Sequence, residues 1–105
     1  MDTAWVLYLV ALVLTIVIET GLACFMRRDR IRRLLVDVPL MNLVTHPLLH
    51  VGLDLGMPLV AGELLVMAAE AVVYRKVTRL SLAWSIGMAV ACNLVTWLLG
   101  YVMWS

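Results

Sequence analysis

The chain has 105 residues, 65% of them apolar and only 14% charged, with a net charge of +1 and a mean hydropathy of +1.04. Soluble domains run at roughly 45–50% apolar and about 25% charged, so this composition excludes an ordinary water-soluble domain. A chain this short forms one domain and would leave much of its apolar surface facing water, which makes lipid the expected solvent. The two cysteines, Cys24 and Cys92, form no CxxC, zinc ribbon or disulfide framework.

The charges are segregated. All eight basic residues fall in two short clusters, Arg27, Arg28, Arg30, Arg32 and Arg33, then Arg75, Lys76 and Arg79. A bilayer core of about 30 Å needs roughly 20 predominantly apolar residues per helix, and four stretches between the clusters meet or approach that length. The sequence therefore predicts an all-α, polytopic integral membrane protein. Its single domain, residues 1–105, is an antiparallel bundle of four transmembrane helices.

The first predicted helix covers about 3–26 and carries no charge between Asp2 and Glu19. A signal peptide is the competing reading, but the usual basic n-region is missing. The second covers about 34–53 and is more polar, holding Asp37, Asn42, Thr45, His46 and His50 together with Pro39 and Pro47. The third, about 57–74, opens at Pro58, where proline suits the first turn of a helix, and contains Glu63 and Glu70. The fourth, about 80–104, has no charged side chain.

Cytoplasmic loops collect Lys and Arg, so both basic clusters are expected in the cytoplasm and both termini outside. The expected location is the bacterial inner (plasma) membrane. Trp5, Tyr8, Trp97, Tyr101 and Trp104 are expected in an aromatic belt at the outer face, with Trp84 and Tyr74 marking the opposite one. Anionic headgroups are expected at Arg27–Arg33 and Arg75–Arg79, each basic residue attracting them by about 1 kcal/mol. Nucleic acid is not an expected partner.

Helical spacing aligns the polar residues of every helix on one face. Thr15 and Glu19 are four apart, Asn42, His46 and His50 form a ladder continued by Asp54, and Glu63, Met67, Glu70 and Tyr74 make a stripe. Ser81, Ser85, Ala89 and Asn93 repeat every four residues, with Thr96 adjacent. Ion- or substrate-binding roles are assigned to Glu19, Asn42, Glu63, Glu70 and Asn93, because an ionisable group deep in a span is costly and is by default functional. Helix packing accounts equally for the Ser/Ala series and Asn93. Asp37 is expected to pair with Arg32 or Arg33 near the interface, and Asp29 to be a solvated loop charge. Counted from the helix ends, Glu63 and His50 lie at one level toward the outer surface. Glu19, Asn42 and Glu70 lie deeper, with His46 between.

Two function classes follow. In the first, buried glutamates titrate protons or bind cations in a small transporter or ion-coupled channel, completed as a homodimer or higher homo-oligomer. In the second, His46 and His50, four apart, join Glu63 or Glu70 in holding a divalent metal such as zinc, for which nitrogen and oxygen ligands are suited. A third reading is a structural or regulatory subunit of a larger complex. HExxH and GxSxG are absent, and no catalytic residue is assigned.

The length, the four predicted helices and the glutamate of Ile18-Glu19-Thr20-Gly21 resemble the small multidrug resistance transporters. The resemblance covers little more than residues 11–26. That family's pattern has no second-helix histidine pair and no two third-helix glutamates, and its drug selectivity is not carried over.

Overall fold

The computed structural model describes residues 3–104, including every side chain in that range except those of Ala4 and of residues 99–104. Four α-helices account for nearly all of it: α1 (Thr3–Met26), α2 (Ile31–Asp54), α3 (Leu59–Lys76) and α4 (Leu82–Trp104). The described residues contain no strand. Helices consecutive in sequence pack on one another and α1 closes the ring against α4, so the diagonal pairs α1/α3 and α2/α4 face each other across the bundle interior. This is the up-down-up-down bundle that short connections favour. The start of α1, the end of α4 and the α2–α3 turn share one end, and the arginine-rich connections share the other.

Both ends of α1 and the last residue of α4 fall where expected, while the starts of α2, α3 and α4 differ by two or three residues, each for a local reason. Helix α2 starts at Ile31 because a 3₁₀ turn over Arg28–Arg30 feeds directly into it, and arginine is a good helix former. Pro58 stands just before α3 in extended conformation, at φ −60° and ψ 142°, and the helix begins at Leu59. Helix α4 begins at Leu82 because Ser81 caps it, its hydroxyl accepting from the Trp84 amide at 3.2 Å. Pro39 and Pro47 lie inside α2 without ending it, and each removes one backbone donor from the helix.

The α2–α3 turn reverses at Gly56, whose φ of +102° suits a residue without a side chain. At the other end Arg79 occupies the left-handed region at φ 63°. That connection is tied down from several directions. The Arg33 guanidinium donates to the Val77 carbonyl at 3.2 Å and Arg75 to the Leu80 carbonyl at 3.2 Å. Asp37, nearly buried as the first turns of α2 enter the bundle, accepts from the Thr78 hydroxyl at 2.7 Å and is ion-paired with Arg33, whose Nε lies 3.2 Å away. Asp29 stays on the surface, where Arg27 donates two bonds to it at 2.9 and 2.8 Å and holds its carboxyl down at about 2.

Burial is inverted relative to a soluble bundle. Glu19, Asn42, Glu70, Ser85 and Asn93 are buried, whereas leucines and valines cover the exterior, Val17 at 62% and Leu65 at 62% exposure among them. The segments Trp5–Met26 and Arg28–Asp54 are long and apolar enough to cross a membrane. In α4 the described apolar stretch, Leu82–Leu98, is shorter. The bundle is 40 Å long, close to the ~40–45 Å of a bilayer with its interfaces.

The aromatic residues divide. Trp5, Trp84 and Trp97 are exposed, and the side chains of Tyr101 and Trp104 lie outside the described residues. Tyr74 is no surface marker. It is fully buried in an apolar cluster with Ala23, Leu34, Val38, Leu80 and Met88, because the stripe that carries Glu70 turns Tyr74 inward with it.

Candidate metal centre

Three helices deliver the site. Glu19 of α1, His46 of α2 and Glu70 of α3 each offer one ligand atom, and these atoms all lie within 4.8 Å of one another. Glu19 and Glu70 are completely buried. Both carboxylate oxygens of Glu19, Oε1 of Glu70 and Nε2 of His46 have no hydrogen-bond partner. A buried polar atom without a partner costs about 1–3 kcal/mol, more when charged. With one ligand atom from each of the three residues so close together, the cluster could hold a metal ion.

The surroundings hold the ligands in place. Asn93 of α4 donates from Nδ2 to Glu70 Oε2 at 3.2 Å and to the Ala89 carbonyl at 2.7 Å, which fixes one face of the Glu70 carboxylate and leaves the other open. Asn42, one turn from His46, donates to the Val38 carbonyl at 2.9 Å. Its Oδ1 is unpartnered and its side chain lies beside Glu19. Thr96 also adjoins Glu19, its hydroxyl donating back to the Asn93 carbonyl at 3.0 Å.

Among the described residues the site contains no arginine or lysine. With a divalent cation bound, two ionised carboxylates and a neutral imidazole would have their charge cancelled, and burying charge in a low-dielectric interior is tolerable when it is so paired. Oxygen and imidazole donors of this kind suit zinc, manganese or iron. Cys92 is buried nearby, its thiol donating weakly to the Glu19 carbonyl at 3.9 Å, and it is not among the clustered ligand atoms.

Of the residues singled out in the sequence, the structure gathers Glu19, Asn42, His46, Glu70 and Asn93. His50 and Glu63 are not among the clustered ligand residues. His50 is exposed near the turn end, with Nε2 3.7 Å from Asp54 Oδ2 and its ring 5.0 Å from Tyr8. Glu63 is half-buried on α3. At 1.5 Å per residue the four residues from His46 to His50 span about 6 Å and the seven from Glu63 to Glu70 about 10 Å. Glu63 and Glu70 are thus too far apart along the axis to share one ion, whereas histidines four apart can share one; His50 is kept out of the cluster because its ring turns to Asp54 and Tyr8. Thr78, the buried partner of Asp37, carried no spacing signal in the sequence.

The chain matches no known protein family, no curated protein and no solved structure.

Proposed function

We propose that the chain is a small polytopic membrane protein that binds one divalent transition-metal ion through Glu19, His46 and Glu70. The observation that carries this reading is the convergence of one ligand atom from each of three side chains within 4.8 Å, and Glu19 Oε1 and Oε2, Glu70 Oε1 and His46 Nε2 have no hydrogen-bond partner. The apolar exterior supports the membrane assignment for all four helices. Segregation of Lys and Arg at one end supports a cytoplasmic face there.

The metal is tested by titrating purified, metal-stripped protein in detergent with zinc. One ion per chain is expected, with binding weakened at least tenfold in each of Glu19→Gln, His46→Ala and Glu70→Gln. Wild-type protein that takes up no metal contradicts the proposal, as do three variants that bind like wild type.

Transport remains the second reading, favoured by the same pair of buried carboxylates. Protons and metal compete for such ligands, so a proton gradient would be able to load and unload the site. Zinc flux into proteoliposomes that responds to an imposed pH gradient supports it, and binding without flux removes it.

A further inference from the structure

The site is placed asymmetrically along the bundle. On its arginine-cluster side the interior is filled by the apolar cluster of Ala23, Leu34, Val38, Tyr74, Leu80 and Met88, all of them 5% exposed or less. On the other side a cavity of about 170 Å³ runs between α1 and α2. Its wall is mostly apolar, but four of the eight lining residues, Tyr8, Thr15, His46 and His50, bring polar groups to it beside Ala11, Leu12, Leu49 and Leu53. At the turn end of this cavity stands exposed His50, paired with Asp54. Deeper in stands His46, which both lines the cavity and belongs to the metal cluster.

A second groove, between α2 and α3, is larger at about 230 Å³ but has Thr45 as its one polar lining residue. A hydrated cation is stabilised by groups that replace its water, and apolar walls offer none.

We propose that the metal ion reaches Glu19 and Glu70 through the α1–α2 cavity, from the bundle end opposite the arginine clusters, with His46 as the residue at which passage becomes site. The route rests on the metal-binding reading above. It also gives the chain a direction, because the packed cluster closes the arginine end while the site is loaded from the other.

The test is kinetic and leaves the equilibrium site untouched. Cobalt(II) is mixed with purified wild-type protein in a stopped-flow instrument and its visible absorption followed, with stoichiometry and Kd measured in parallel. Ala11→Phe fills the cavity and Leu53→Phe narrows its mouth. Both variants are expected to bind one cobalt at wild-type Kd while association and dissociation slow at least tenfold. Ala69→Phe, placed in the α2–α3 groove, is expected to keep the wild-type rates. If both cavity variants bind at the wild-type rate with full stoichiometry, the route is overturned while the metal site stands. Equal slowing by Ala69→Phe overturns it as well. Wild-type protein that binds no cobalt removes the site, and the route with it.

Discussion

The bond between Asp37 and Thr78 joins α2 to the α3–α4 connection, and removing it probes whether the arginine end of the bundle is held as the geometry indicates. Thr78 is 1% exposed and its hydroxyl lies 2.7 Å from Asp37 Oδ2. Hydrogen bonds to a charged acceptor contribute about 1.5–3 kcal/mol. The Arg33 side chain on the same carboxylate is 53% exposed, so that ion pair contributes only about 0.2–1 kcal/mol. Asp37→Ala is therefore expected to destabilise by about 2–4 kcal/mol, and Thr78→Val by about 1.5–3 kcal/mol. The double variant should cost less than the sum, with a coupling of at least about 1 kcal/mol. Reversible unfolding in mixed detergent–SDS micelles, followed by far-UV circular dichroism, measures all three. Additivity within about 0.3–0.5 kcal/mol, the behaviour of independent sites, would refute the pairing.

Three further outcomes are expected. Asn93→Ala removes the donor that fixes one face of Glu70 and should weaken zinc binding about 10–100-fold, the usual effect of losing a group that orients a ligand, while stoichiometry stays at one ion per chain by calorimetric titration. Gly56→Ala forces a side chain onto a φ of +102° and should lower unfolding free energy by about 1–2 kcal/mol in the same micelle assay. The Asp29 carboxyl, held at about 2 by Arg27, should titrate there by carbon-13 NMR and return toward the ordinary value near 4 in Arg27→Ala. Because the folded-state value is depressed, this pairing favours the fold above about pH 4 and is lost as pH falls through about 2.

Much of the bundle was legible in the sequence because two strong signals agree. Apolar runs mark the helices, charge clusters mark two of the three turns between them, and Gly56 and Pro58 mark the third. What moved the ends was local chemistry that hydropathy does not weigh, such as the Ser81 cap and the 3₁₀ turn after Arg27. The site was legible in its level more than in its membership. Counting depth from the helix ends put Glu19, Asn42 and Glu70 together, with His46 next, and these are the side chains that converge. The four-residue spacing of His46 and His50 points to a chelating pair, yet the ring of His50 turns to Asp54 and Tyr8 instead, which spacing does not report. Spacing within one helix cannot report which helices face each other at a given height, and that is what selects Glu19 over Glu63. The Asp37–Thr78 bond spans 41 positions and depends on how the α3–α4 connection folds back, which no local pattern encodes.

The central claim is that Glu19, His46 and Glu70 hold one metal ion, and X-ray absorption at the zinc edge of zinc-loaded protein tests it most directly. The expected spectrum has a shell of nitrogen and oxygen near the ~2.0–2.2 Å of zinc with imidazole and carboxylate, an imidazole scattering pattern that vanishes in His46→Ala, and no sulfur near ~2.3 Å. A sulfur shell from Cys24 or Cys92, or an imidazole pattern that survives His46→Ala, would contradict it.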